Sequence, residues 1–275
     1  MSAAESTDLR AADFTARLGQ IFAVFDATTQ DSGNVSYGVK VGGERFFVKT
    51  AGSPDDGRPV LAHRDRVDLL RNAARIARSL THEAVPALIR VVEALDGPLL
   101  VYTWVEGELL HVRGPQRADP ASAFSRFRAL PAQELIAALD PVFRVHVALA
   151  GAGWIASDFY DGCLVHDFAG HRTHVVDLDH YQQGPFRNTR GRMFGSSRFV
   201  APEELELGAL IDEKTTVFNL GRTLEQLFPS APGRVAQVAR RACDPEPGRR
   251  FESVRRFYAA WSSAIQGEDG RGARA

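Results

Sequence analysis

The chain has 275 residues, 44% hydrophobic and 24% charged, which gives room for one large domain or two unequal lobes and excludes a disordered, collagenous or coiled-coil chain. With 33 Lys plus Arg against 34 Asp plus Glu the formal charge is -1, which removes the bulk electrostatic reason to wrap nucleic acid or lie on an anionic membrane. Cys163 and Cys243 fit no disulfide or zinc spacing, Glu5, Asp8 and Asp13 stand where a secretory signal needs a basic start, and no stretch nears the roughly 20 apolar residues of a membrane span, so a reducing, cytoplasmic setting is expected.

Residues 1–27 read as a helical extension, because Phe14, Leu18, Ile21, Phe22 and Phe25 fall at near-helical spacing that ends by Asp26. Val35, Tyr37, Val39 and Val41 alternate, Gly42-Gly43 turns, and Arg45 to Lys49 returns as FFVK, which predicts a β-hairpin. Residues 51–60 are a loop by composition. A helix follows over 62–80, with Val67, Leu70, Ala74, Ala77 and Leu80 on one side and Arg64, Arg71, Arg75 and Arg78 near a face that reads as solvated surface. Strands Leu88 to Ala94 and Leu99 to Trp104 flank a turn at Asp96-Gly97. The N-terminal part is thus expected to be a small antiparallel sheet interrupted by one helix.

After Glu106-Gly107 the composition shifts. Residues 111–131 read as loop with short helical pieces, and residues 133–152 as an apolar helix carrying Leu135, Leu139, Val142, Phe143, Val147 and Leu149. A second hairpin follows, LVHDF, a turn at Ala169-Gly170-His171-Arg172, and THVVDLD. The remainder reads as helices broken by Pro202, Pro229, Pro232, Pro245 and Pro247, with a frayed tail.

The second hairpin makes the first chemical argument. Asp158 precedes its first strand and Asp177 ends its second, so closing the turn brings two carboxylates to one open end. Such a pair suits Mg²⁺, which takes one or two carboxylates plus phosphate oxygens and water, though turn-flanking aspartates also serve structure alone. His171 and His174 lack a second ligand pair and predict no metal site.

The order of features, a Gly-containing hairpin ending in FFVKT, a helix, the strand VYTWVEGELL, Asp158, Asp177 and FGSSRFVAPEE, resembles the protein kinase-like superfamily over residues 28–262. The likeness is to bacterial serine/threonine protein kinase-like proteins with atypical motifs, related in fold to antibiotic phosphotransferases. It implies an α+β, bilobal fold: an N-terminal antiparallel β lobe with one helix over 28–104, a larger, mainly helical C-terminal lobe over 105–265, and a disordered tail over 266–275. By the same resemblance Lys49 contacts the ATP phosphates, and Gly33, Val35 and Gly38 belong to the phosphate loop. Tyr102, Thr103, Trp104 and Val105 are the hinge that holds adenine. Asp158 is the catalytic aspartate, and Asp177 binds Mg²⁺. Asp179 and Ser196 lie in the activation segment, closed by Glu203, whose partner is Arg250.

Several positions depart from the family pattern. Ala156-Ser157-Asp158 replaces His-Arg-Asp, which argues against control by loop phosphorylation. Cys163 stands where the family has a metal-binding asparagine, a soft atom for a hard cation, so Asp161 is expected either to compensate at the metal or to cap a turn. Only two glycines mark the phosphate loop. Asn72 or Ala73 replaces the helix glutamate that would pair Lys49, with Asp68 as a substitute or a solvated residue, and Asp177-Leu178-Asp179 replaces Asp-Phe-Gly. Tyr160 occupies the place of the lysine usual in Ser/Thr protein kinases.

The resemblance implies an ATP- and Mg²⁺-dependent phosphotransferase acting on a hydroxyl, serine/threonine protein kinase-like, with Ser196, Ser197 and Thr189 as autophosphorylation sites. The alternatives are a small-molecule kinase of the antibiotic or metabolite type and a nucleotide-binding pseudokinase acting as an interaction module. ATP and a hydroxyl-bearing acceptor are the implied partners, with no nucleic acid and no membrane; oligomeric state is not specified.

Overall fold

A computed structural model describes residues 5–27, 32–56 and 60–272, with residues 267–272 given by backbone alone. Asp31 of the expected phosphate loop, residues 57–59 of the expected loop and residues 273–275 of the expected tail lie outside this description.

The N-terminal segment shows why spacing alone misleads. Its first elements are β1 (Glu5–Ser6), α1 (Ala11–Leu18) and β2 (Gln20–Phe25), so the helix stops at Leu18 and the expected helical extension ends as a strand. Gly19 is extended, with φ 176°, and lies so close to the next strand that a Cβ there would sit 2.3 Å from the Lys40 carbonyl oxygen. Beyond it Ile21, Ala23 and Phe25 alternate with the more exposed Gln20, Phe22 and Val24, the period of a half-covered strand rather than a helix.

Next come β3 (Val35–Val41), β4 (Glu44–Thr50), α2 (His63–Ser79), β5 (Leu88–Ala94) and β6 (Gly97–Thr103). These strands form one six-stranded sheet in the order β1-β5-β6-β4-β3-β2. It is mixed rather than antiparallel, because β1 runs parallel to β5. Strand alternation sends Val39, Val48, Val92, Leu99 and Val101 to one face, where Ala11, Phe14 and Leu18 of α1 pack. The other face puts Leu100 and Tyr102 against Val67, Leu70, Ala73 and Ala74 of α2. Lys49, registered opposite Ser36 and Leu100, lies on this α2 side and is 7% exposed.

From Glu106 on the elements are β7 (Glu108–Leu109), α3 (Ala123–Arg128), α4 (Ala132–Gly151), β8 (Trp154–Ile155), β9 (Leu164–Asp167), β10 (Arg172–Val175), β11 (Gln182–Gln183), β12 (Phe186–Arg187), β13 (Leu210–Ile211), α5 (Glu213–Leu227), α6 (Gly233–Ala242) and α7 (Val254–Gly272). β9 and β10 pair antiparallel from Leu164–Val175 to Asp167–Arg172, and β7 lies on the other side of β9. Apolar residues at helical spacing bury Leu135, Leu139, Val142, Phe143 and Leu149 of α4, and α5 buries Val217, Leu220, Leu224 and Leu227. Phe143 stands edge-on to Phe257 and Trp261, which joins α4 to α7. α7 continues through residues 266–272, where a disordered tail is expected; lengthening an existing helix costs far less than nucleating one, so weak helix formers such as Gly267 and Gly270 are carried along.

The chain is α+β and separates into two compact units, Met1–Val105 and Glu106–Ala275. Among the described residues no helix is long and apolar enough to cross a membrane.

Candidate active site

The hairpin β9–β10 does bring Asp158 and Asp177 to one end. Both take left-handed backbone conformations, φ 61° and 58°, which few residues other than glycine tolerate and which short polar side chains accept best. Between them lies Cys163. Its thiol is 3.3 Å from the Asp158 carbonyl oxygen and 3.9 Å from that of Asp177, so one S–H is shared between the two backbones. Burial, with the charges of Asp177 and Asp158 added, pushes this thiol well above its ordinary pKa and keeps it a donor. Cys163 is therefore a buried clasp, 1% exposed, at the position where the resemblance implies a metal-binding side chain. A thiolate is the form that binds metal, and this site opposes it.

Asp161 is also otherwise engaged. It is fully buried, with one carboxylate oxygen 2.9 Å from His111 Nδ1 and the other in a short contact with the Arg198 guanidinium. Both oxygens are engaged by His111 and Arg198, whereas the sequence left this residue between a metal ligand and a turn cap. Among the described residues no group of three or more His, Cys, Asp or Glu side chains converges to hold a metal ion. Asp177 is exposed and Asp158 half-buried at this end of the hairpin, so these are the two residues that could hold a cation whose other ligands are water and phosphate oxygens.

Around Asp158 the chain supplies three further neighbours. His180 Nε2 is 3.7 Å from Asp158 Oδ2, and its ring lies tilted against Phe194 at 5.2 Å. Gly195, at φ 123°, passes so near that a Cβ would lie 3.5 Å from Asp158 Oδ1, which brings Ser196 to the neighbourhood of the aspartate. Tyr160 lies flat over Gly162, whose Cβ would come within 2.3 Å of its ring, and edge-on to His111. Burial raises the Tyr160 phenol above its usual range, so this side chain stays neutral where the resemblance would place a lysine. Thr216 of α5 accepts a hydrogen bond from the Ala156 N–H at 3.0 Å and anchors the turn from below.

Farther along, Glu203 and Arg250 form a buried bidentate pair at 2.6 and 2.9 Å. Burial alone would raise the Glu203 carboxyl; the Arg250 hydrogen bonds and charge hold it below the ordinary range. The adjacent Glu204 is hydrogen-bonded by dipoles, the Ala201 N–H and the Asn219 amide, and burial pushes it up to about 7. Leu178 and Asp179 are buried, while Ser197 and Thr189 are exposed.

In the first unit the expected nucleotide residues are arranged differently from a phosphate loop. Gly38 is in the middle of β3, paired with Phe47 and Ala23, and is roofed by Phe22 and Trp104: a Cβ would meet these rings at 2.7 and 3.1 Å. Phe22 reaches this position because a bulge in β2 breaks the register between Ile21 and Ala23. Val35 begins β3 opposite Thr50. Only Gly33, with φ 83°, lies in the turn before the strand. Of the expected hinge, Tyr102 and Thr103 belong to β6, and the Thr103 and Trp104 N–H groups donate to Ala87 and Arg45 carbonyls, so those two donors are spent on the strand and its end.

Arg66 of α2 is the feature that composition concealed. It is 1% exposed, and its guanidinium donates to the carbonyls of Gly33, Ala51 and Ser53. Asp68, by contrast, is exposed and paired with Arg71, and Asn72 binds Arg75. His111, His180 and Arg198 were likewise outside the sequence-derived set. His180 could have been found by its place three residues after Asp177; the other two are joined to Asp161 only by folding.

Compared with known proteins, the chain matches no protein-family model and no curated sequence.

Proposed function

We propose that the chain is a protein kinase-like phosphotransferase that moves the γ-phosphoryl group of ATP to a hydroxyl, with the first unit as the small lobe and the second as the large one. The observation that carries this reading is the pair Asp158 and Asp177, both held in strained left-handed backbone and clasped through the buried Cys163 thiol. Strain of this kind costs on the order of 1–3 kcal/mol per residue and collects at functional sites. Folding alone does not require two such aspartates at one hairpin mouth.

In this reading Asp158 orients the acceptor hydroxyl and takes its proton, His180 fixes the carboxylate from one side, and Gly195 leaves room beside it. Asp177 would hold the Mg²⁺ that neutralises phosphate charge, and Lys49 would bind the phosphates. The acceptor we favour is a protein Ser/Thr, because Gly195-Ser196 runs past Asp158 where an extended chain can lie. A nucleotide-binding pseudokinase is the competing reading, favoured by one observation: Cys163, at the position where the resemblance implies a metal-binding side chain, and Asp161 are both engaged with other partners.

Asp158→Asn separates the two. Incubation of the full chain with labelled ATP, Mg²⁺ and a panel of Ser/Thr peptides and hydroxylated metabolites is expected to give transfer that falls about 10²–10⁴-fold in Asp158→Asn. Nucleotide binding unaccompanied by transfer to any acceptor, in the parent chain, would establish the pseudokinase instead.

A further inference from the structure

The charge around the candidate site is not that of the whole chain. From His180 to Pro202 the sequence contains Arg187, Arg190, Arg192 and Arg198 and no Asp or Glu, although the protein as a whole carries -1. Segment 111–131, which meets the site through His111, has four arginines against Asp119 alone. Arg198 is spent on Asp161. Arg187, Arg190 and Arg192 are exposed, and among the described residues none of them has a carboxylate partner.

Of these arginines, Arg190 is connected to Asp158 through a chain of contacts. Arg190 lies over the Phe194 ring at 4.9 Å, Phe194 is tilted against the His180 ring at 5.2 Å, and His180 reaches Asp158 at 3.7 Å. Arg187 is fixed at β12 by donating to the Gly208 carbonyl at 3.0 Å. Two of the neighbouring acids do not offset this charge, since Glu203 pairs with Arg250 and Glu204 is buried, while Asp158, Asp177 and Glu206 remain as carboxylates of the same unit. Three cations strung along one surface strand and its following bend match a row of charges better than a single small anion.

We propose that this segment selects an acidic polypeptide, in which Asp or Glu residues flanking the acceptor hydroxyl engage Arg187, Arg190 and Arg192. The inference rests on the phosphotransfer reading and narrows its acceptor. It disfavours the cationic metabolites that an acidic pocket would take.

The test uses the full chain with paired synthetic peptides, one Ser flanked by Asp and Glu and the same Ser flanked by Lys and Arg. Transfer to the acidic peptide is expected to exceed that to the basic one by about tenfold at low salt and to lose much of that margin as ionic strength rises. The triple variant Arg187→Gln, Arg190→Gln, Arg192→Gln should abolish the preference with thermal stability unchanged, and the triple Lys variant should restore it. Equal transfer to both peptides, or a preference that survives the Gln variant, overturns the proposal while leaving phosphotransfer intact. A parallel anisotropy measurement with fluorescein-labelled acidic peptide keeps the two ideas apart: Arg-dependent binding without any transfer supports the surface and removes the enzymatic reading. Competition by a short single-stranded DNA as strong as that by the acidic peptide would overturn the assignment to a polypeptide.

Discussion

Among the described residues each unit buries one arginine almost completely, and the two are held in opposite ways. Arg66, in the first, donates to the carbonyls of Gly33, Ala51 and Ser53, and desolvation lowers its pKa against the opposing charge of Asp56. Arg250, in the second, meets a carboxylate through both terminal nitrogens and adds the carbonyls of Asp244, Lys214 and Pro245. The difference is what each leaves behind when removed. Without Arg66 three neutral acceptors lose a donor; without Arg250 a charge is stranded in the interior.

The largest expected effect tests that distinction directly. Arg250→Met should cost about 3–5 kcal/mol in urea unfolding, the usual consequence of orphaning a buried carboxylate. The pair also gives a pH signature: because Glu203 is held below its unfolded value, its contribution is complete above the ordinary glutamate range near 4.3 and is lost as pH falls through the depressed value. Arg66→Met should cost less, about 2 kcal/mol, with no comparable acid dependence, and hydrogen exchange should rise at Gly33–Val35 and Ala51–Ser53. Equal losses in the two variants would erase the contrast. The smallest effect concerns Glu204, the buried acid without a guanidinium. Its folded pKa of about 7 is above the unfolded value, so it contributes fully below about 4.5 and that contribution is lost as pH rises through 7. Glu204→Gln keeps the acceptor and removes the ionisation, and should raise stability at pH 8 by on the order of 1–2 kcal/mol while changing little at pH 5.

The sequence makes hairpins and long helices legible because their signals are local. Gly42-Gly43 between alternating residues, and the apolar stripe of α4, each need only their own window. β2 is not legible in that way: Phe22 and Phe25 continue the spacing of Phe14 and Leu18, and the extended backbone is held by pairing with β3, a partner outside the local window. The short β1 has no pattern of its own and exists through β5. Within the candidate site, Asp158, Asp177, Glu203 and Arg250 are recognisable by their order along the chain. Cys163 and Asp161 are misleading for one reason. Their side chains satisfy partners distant in sequence, Asp177 backbone for one and His111 and Arg198 for the other, and a ligand-type residue at ligand-type spacing does not reveal which way it points. Arg66 is hidden by its neighbours, since a buried arginine in a helix that also carries Arg64, Arg71, Arg75 and Arg78 looks like one more surface cation.

The packing of Trp104 beside Gly38 has an optical consequence. Of the three tryptophans, Trp104 alone belongs to the first unit and is half-buried, whereas Trp154 and Trp261 are 5% and 0% exposed in the second. Its indole edge rests against the Phe22 ring at 4.9 Å, at the bulge of β2. A chain carrying Trp154→Phe and Trp261→Phe would therefore emit from the first unit only, at longer wavelength than the buried pair, and would report the fate of its sheet separately from the helices that follow.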